Sequence, residues 1–521
     1  MSKAKTLAKR ARQGRMPQQA PNARSVAYSV LTKVQEQDSY ANLLLPHVLG
    51  ASELSAEDKR FVTDAVYGTL RWRGLLDAII VSAHGRSLNS INKRLVNVLR
   101  LGAYQWLFMN GAEYAVVNES VKLAKKRAGQ QTTGFVNAVM RKIVARTLDQ
   151  WREALSQESS YEDEAERLAV QYSHPAWIVR ELAAAWNAGG YAAEPSAKEP
   201  SANEPRANED LGGLEAMLAA DNEAPAVTLC VRPSLADMDA VYDEVEALGG
   251  RVQRGELSPY ALRVRGVNPQ NLTSVTQGRV GVEDEGSQLA ALALALAPVE
   301  GADGVKGAEG TEDAAERGER WLDMCAGPGG KTALLASIAQ EVGGVMLSAN
   351  EPHEHRRELV RENLKAIDAG TLGEISGRDG REFGAAFPGA FDRVLVDAPC
   401  SGLGALRRRP EARWRKTAES VQELASLQKE LLNSALDATR SGGVVAYVTC
   451  SPVLAETREI VSAVLSARSD ARRLDVPSVL GELNSSIPLP ASVDSASPRD
   501  MQLFEHIHDT DQMFIALIRK I

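Results

Sequence analysis

From Trp321 onward, short β-rich apolar runs alternate with helical stretches. This alternation constrains the fold more than any other feature of the 521-residue chain. Trp321–Met324, Val345–Ala349, Arg393–Val396 and Val444–Val448 read as strands, and stretches such as His355–Ile367 and Ser420–Thr439 read as helices between them. The pattern predicts a doubly wound, Rossmann-like parallel sheet with helices on both faces. Sheets of this kind bind ligands beyond the carboxyl ends of their strands. The informative residues are therefore expected just after each strand.

Five motifs fall there. The first is Cys325-Ala326-Gly327-Pro328-Gly329-Gly330-Lys331-Thr332, where a strand ends in a glycine-rich turn and a helix begins. Glycines let the backbone approach a ligand closely, and a helix N-terminus favours anionic groups. The Gly-Lys-Thr ending invites a P-loop reading, but that motif needs Gly at position 325, where this chain has Cys. The strict dinucleotide fingerprint fails as well. A nucleoside ligand bearing a carboxylate, such as S-adenosylmethionine, fits better. Glu351 follows the next strand about 20 positions later, where a carboxylate would hold a ribose diol. Asp379, in the turn Gly377-Arg378-Asp379-Gly380, is placed to accept from an adenine amino group or simply to form the turn. The fourth motif, Asp397-Ala398-Pro399-Cys400-Ser401-Gly402, and the fifth, Thr449-Cys450-Ser451-Pro452, each set a cysteine at a strand end. By spacing alone Cys400 and Cys450 are equal candidates for a nucleophile.

The rest of the chain divides by composition. Net charge is −8, but residues 1–146 carry 23 Lys and Arg against 9 Asp and Glu, and the remainder is strongly acidic. A basic N-terminal third suits phosphate contacts. Residues 1–24 form a basic tail, expected to be disordered. In 25–146, Val26, Ala27, Val30, Leu31 and Val34 recur at helical spacing, as do Phe61, Val62, Ala65, Val66 and Leu70, and Ile91, Leu95, Val98 and Leu99. This predicts an all-α bundle of about six helices, with Ser55 capping one of them. An intermediate α/β module is expected over 147–280, with a strand at Ala226–Val231, a helix at Leu235–Leu248 and a strand at Ala261–Val264. A five-residue near-repeat with a proline in each copy, Glu194–Lys198, Glu199–Asn203 and Glu204–Asn208, interrupts the module. It has almost nothing to bury, so disorder is expected over 187–212. The catalytic domain is placed at 281–521, with a second low-complexity insertion at 300–320.

The set Cys325–Thr332, Asp397–Gly402 and Thr449–Pro452 resembles the Sun-type (Fmu-type) family of RNA cytosine-5 methyltransferases, whose signature is a CAxPGGKT-type loop, DAPCSG and TCS. The ending Gln502–Ile521, with His506, Asp509 and Phe514, resembles that family's too. Residues 25–146 are similar to the NusB-type helical domain of its bacterial 16S ribosomal RNA members. Glu351 stands where many relatives carry Asp, which preserves the carboxylate. The resemblance implies Cys450 as nucleophile and Cys400 as the group that assists product release. It also implies Asp397 beside the cytosine ring, and Lys331 against the donor or the base. The donor, S-adenosylmethionine, would be held by Cys325, Ala326, Gly327, Pro328, Gly329, Gly330, Lys331, Glu351, Asp379 and Asp397. Alternatives within reach are the same chemistry on tRNA or another ribosomal site, or an RNA-binding assembly or antitermination factor with an inert catalytic domain.

Arg407, Arg408, Arg409, Arg413, Trp414 and Arg415 follow the fourth motif and are expected to contact phosphates or stack on bases. The four cysteines form no CxxC pair, and His353/His355 and His506/His508 lack a convincing third ligand. No metal is therefore expected. A reducing cytoplasm is the expected setting, with no export signal, no membrane span and RNA as partner.

Overall fold

The computed structural model describes residues 22–36, 39–157, 161–190, 211–301, 318–489 and 498–521. It divides into two compact units, Met1–Ala176 with Arg409–Glu411, and Trp177–Arg408 with Ala412–Ile521.

The first unit is helical. Between 23 and 144 its described residues form seven α-helices, Ala23–Glu36, Ala41–Gly50, Ala56–Arg71, Arg73–His84, Lys93–Leu107, Glu113–Ala128 and Thr133–Val144, rather than about six. Ala56–Arg71 and Arg73–His84 adjoin at Trp72, a boundary that apolar periodicity does not mark. The helical stripes are the buried ones: Ala27, Val30, Leu31 and Val34 pack with Val62, Ala65, Val66, Val98 and Leu99 in one core. Ser55 caps as its position suggests, its side chain accepting from the Asp58 backbone N–H. The helices Leu148–Ser156 and Glu164–Gln171 cluster with this unit.

The second unit holds both sheets. The smaller comprises β1 (Val227–Val231), β2 (Arg251–Arg254), β3 (Ala261–Arg265) and β4 (Val280–Val282), antiparallel in the order β2-β3-β1-β4. Its helix starts at Met238 rather than Leu235, because the Asp237 side chain caps it by accepting from the Ala240 N–H. Leu229 and Val231 face a core with Val241 and Val245 of that helix, while Cys230 on the other face joins the core of the larger sheet.

The larger sheet comprises β5 (Glu319–Asp323), β6 (Val345–Asn350), β7 (Leu372–Ser376), β8 (Phe391–Asp397), β9 (Thr439–Thr449), β10 (Ala471–Leu474), β11 (Met501–Gln502) and β12 (Phe514–Lys520). The path is β10-β12-β9-β8-β5-β6-β7, with β11 beside β12. The five strands β7-β6-β5-β8-β9 are parallel, as the strand–helix alternation requires. β10, β11 and β12 add antiparallel pairings, so the sheet is mixed rather than purely parallel. The reversal comes from the chain end, where β12 returns along β9 with Phe514 opposite Thr449. The strand order turns around β5: β6 and β7 lie on one side, β8 and β9 on the other. The carboxyl ends of β5 and β8 thus meet at the switch point.

Most of the two segments expected to be disordered, 1–24 and 187–212, and of the low-complexity insertion 300–320 lies outside the described residues. Their described margins are ordered. Arg24 is helical and donates from Nε to Gln105 Oε1 at 2.7 Å. Residues 187–188 and 211–212 continue helices, and Glu319 and Arg320 pair with Val345 and Met346 in β5–β6.

Candidate active site

The parallel register sets the five motifs along one sheet edge. Asp323 of β5 lies opposite Leu395 of β8 and Ala349 of β6, and Asp397 of β8 lies opposite Val448 of β9. Backbone hydrogen bonds continue beyond the strands: Ala326 N–H donates to Asn350 O and Ala398 N–H to Val448 O, both at 2.9 Å. The loops that leave the strands therefore start in register.

The glycine-rich loop is built for close approach. A Cβ on Gly327 would stand 2.1 Å from Glu351 Oε2 and 2.9 Å from Arg356 Nε. Gly329, with φ of +112°, turns the chain into the helix Gly330–Val342. Beneath the loop, Asp323 accepts from Thr332 Oγ1 at 2.7 Å and from the Cys325 N–H at 3.3 Å. Burial pushes the Asp323 carboxyl up to about 7, against the pull of the Thr332 hydroxyl. Burial also holds the Cys325 thiol well above its ordinary value.

Glu351 follows β6, and its side chain is almost fully buried. Oε1 accepts from the His353 N–H and lies 2.9 Å from His353 Nδ1, while Oε2 lies 3.2 Å from Arg356 Nη1. Arg356 also donates to the Gly327 carbonyl. Asp379 follows β7, caps a short 3₁₀ turn through the Arg381 N–H, and pairs with the Arg381 guanidinium, which holds its carboxyl below the usual range.

Lys331 and Asp397 meet across the switch point, Nζ to Oδ2 at 2.9 Å. Burial disfavours the ammonium, but Asp397 and Glu283 outweigh it and raise Lys331 above its ordinary value. Cys450 Sγ and Cys400 Sγ stand 3.4 Å apart. The hydrogen bond with Cys450, then burial, push the Cys400 thiol well up. Cys400 is thus kept as a thiol, able to donate towards its neighbour.

The basic run after the fourth motif is placed differently from expectation. Arg407 pairs with Asp511, Asp509 and Asp284, at 2.8, 3.1 and 3.4 Å. Arg408 pairs with Asp511 at 2.8 Å and also with Asp284. Arg413, fully buried, donates to Asn222 Oδ1 at 2.9 Å. Acidic and amide partners distant in sequence claim these three guanidiniums, so they are internal struts rather than free phosphate contacts. Arg409 is exposed. The ring of His506 lies against Trp186, with centroids 4.9 Å apart, and His508 bonds to backbone. Among the described residues, no group of three or more His, Cys, Asp or Glu side chains is placed to hold a metal ion, and no helix is long and apolar enough to cross a membrane.

Three buried residues escaped the sequence reading. Asn350 stitches loops: Nδ2 donates to Met324 O and Arg378 O, and Oδ1 accepts from Ser376 Oγ at 2.7 Å and the Arg378 N–H at 2.9 Å. Glu283 accepts from Ser287 Oγ at 2.8 Å, and its charge, with that of Asp397, raises Lys331. Glu456, six residues past Cys450, accepts from both loops that carry the cysteines. Nothing local in the sequence marks any of the three as buried.

Residues 313–519 match the family described as 16S rRNA methyltransferase RsmB/F, and residues 21–145 match the NusB family. A putative methyltransferase of Mycobacterium tuberculosis strain H37Rv is 40% identical over 499 residues, spanning 96% of each chain. A probable ribosomal RNA small subunit methyltransferase B of Bacillus subtilis is 29% identical over 503 residues, covering 96% of this chain and 99% of that one. The crystal structure of PH0851 shares the fold, with a TM-score of 0.69, 20% identity, and coverage of 96% and 98%.

Proposed function

Because this chain belongs to the RsmB/F family of ribosomal RNA methyltransferases, we propose that it methylates C5 of a cytosine in 16S ribosomal RNA, with S-adenosylmethionine as donor and Cys450 as nucleophile. The observation that carries this reading is the meeting of two thiols, 3.4 Å apart, with the Lys331–Asp397 pair on one sheet edge. The small-subunit target is supported by the name carried by the Bacillus subtilis relative and by the NusB-family match of the basic helical unit.

The residues present fit the donor. The loop Cys325–Lys331 leaves no room for a Cβ at Gly327, and the buried Glu351 carboxylate beneath it suits a ribose diol. Asp379 stands at the next strand end for the adenine amino group. When bound, the donor supplies a methyl group on a sulfonium sulfur.

Cytosine C5 is a poor nucleophile. Cys450, as thiolate, bonds to C6, and the C5=C6 electron pair moves to C5. C5 then takes the methyl group, and the electrons of the broken S–CH3 bond stay on the donor sulfur. Water or hydroxide removes the C5 proton, the double bond re-forms, and the C6–S electrons return to Cys450. Cys400, kept as a thiol, donates its S–H towards the departing sulfur and so assists release. Asp397 and Lys331, an acceptor beside a charged donor, match the amino and carbonyl edge of the ring. The target base must leave its stack to reach these groups.

Bisulfite sequencing of 16S rRNA, with and without the gene, tests the reading alongside transfer of labelled methyl groups to small-subunit RNA. One cytosine should lose protection without the gene. Transfer to no RNA at all would favour a binding role instead.

A further inference from the structure

We propose that Glu456 is the positioning residue of the active site, a buried carboxylate that clamps the two cysteine-bearing loops together and so sets the distance between Cys400 and Cys450. The inference rests on the cysteine roles given above, but the contact it explains is independent of them.

Glu456 is fully buried. Its Oε2 accepts from Ser401 Oγ at 2.5 Å and from Ser451 Oγ at 2.6 Å. Its Oε1 accepts from the Ser401 backbone N–H at 2.7 Å and from Gln428 Nε2 at 3.3 Å. Ser401 directly follows Cys400, and Ser451 directly follows Cys450. One carboxylate thus holds the neighbours of both thiols, whose hydroxyls are themselves 3.2 Å apart.

The clamp is fixed in turn. Tyr447 OH, from β9, donates to the Glu456 backbone carbonyl at 2.7 Å, and the Glu456 N–H donates to Val453 O at 3.0 Å. Gln428 also donates to Pro399 O at 2.9 Å, so it ties the residue before Cys400 to the same point. A further strap lies across the loops, where the Gly404 N–H donates to Cys450 O at 2.9 Å.

Burying a carboxylate is costly, and every donor it receives here is a neutral group. An apolar side chain would fill the space at less cost but could not bind two loops at once. What the carboxylate adds is geometry. Its acceptor oxygens fix Ser401 and Ser451 relative to each other, and the cysteines follow through one peptide unit each. Its charge also works, with the Cys450 hydrogen bond and burial, to keep Cys400 protonated.

Glu456→Gln tests this in the full-length protein. The amide keeps the shape but offers one acceptor oxygen in place of two. Methyl transfer to small-subunit RNA should fall about a hundredfold in kcat, the cost of a misplacement of about 1 Å. KM for the donor should stay within about twofold, because the Glu456 carboxylate accepts from Ser401, Ser451 and Gln428 and from no residue of the glycine-rich loop. The second readout needs no RNA. Diamide oxidation of the Cys400–Cys450 pair, followed by mass spectrometry, should slow about tenfold in the variant, because the sulfurs meet less often. Wild-type kcat in Glu456→Gln, or an unchanged oxidation rate, overturns the proposal. Should Glu456→Gln fail to fold, Ser401→Ala and Ser451→Ala each remove one arm of the clamp. Each should slow oxidation in part, and unchanged rates in both overturn the proposal. If Cys400→Ala, with Glu456 intact, forms no covalent RNA complex, the methylation reading fails instead, and the oxidation readout stands apart from it.

Discussion

The sulfurs of Cys400 and Cys450 lie 3.4 Å apart although 50 residues separate them in the chain. Neighbouring parallel strands, β8 and β9, end side by side and deliver them to one point. The contact ties their protonation together, because the hydrogen bond with Cys450 is the largest cause raising Cys400. A raised thiol pKa means less thiolate at any given pH. Alkylation of Cys400 by iodoacetamide should therefore have its midpoint above that of a free cysteine, about 8.5. The midpoint should fall when Cys450→Ala removes the partner. Peptide mass spectrometry across a pH series checks both. A Cys400 midpoint at or below the free value would contradict the geometry.

Gly327→Ala should weaken donor binding. The added methyl would stand 2.1 Å from Glu351 Oε2, too close for any real contact, so either the loop or the carboxylate must shift. Calorimetry with S-adenosylmethionine should show at least about a tenfold loss, or 1.4 kcal/mol. Thermal unfolding should change little by comparison. Wild-type affinity would remove Glu351 and the loop from the donor site.

Lys331→Met should leave Asp397 without its charged partner. The pair is mostly buried, so the loss is not screened as a surface pair would be. Transfer should drop by about 10²–10³ in kcat, the range for losing one aimed donor in a water-poor site. Single-turnover kinetics with saturating donor and RNA measures it. A near wild-type rate would show that the pair is structural.

Arg407→Ala should cost stability. The side chain holds Asp511, Asp509 and Asp284. Asp509 is exposed, so the cost comes from the buried Asp511 and Asp284; removing one partner of a buried pair costs about 3–5 kcal/mol, and Arg408 still faces both carboxylates, so the lower end applies. The salt dependence of RNA binding should stay as in the wild type. Unchanged unfolding with a shallower salt dependence would return Arg407 to the RNA interface.

Arg407 also shows where sequence reading stops. The parallel strands, the glycine-rich loop and the two strand-end cysteines were legible because each is a local pattern: periodicity, turn chemistry, spacing. The roles of Arg407, Arg408 and Arg413 were not, since their partners Asp284, Asp511 and Asn222 lie more than a hundred residues away in the chain. Glu456 was hidden although its partners are nearer in the chain, because a charge reads as solvated until Ser401 and Ser451 close on it. The antiparallel strand β12 escaped because Phe514–Lys520 carries no alternation, both of its faces being buried almost throughout.

The most direct test of the central claim is the fate of Cys400→Ala mixed with small-subunit RNA and S-adenosylmethionine. Without the Cys400 thiol the C6–S bond should form but release slowly, so a denaturation-resistant protein–RNA complex should accumulate, with mass spectrometry locating the nucleotide on Cys450. Cys450→Ser should form no such complex and transfer no methyl group. A complex linked elsewhere, or normal methylation by Cys450→Ser, would contradict the assignment.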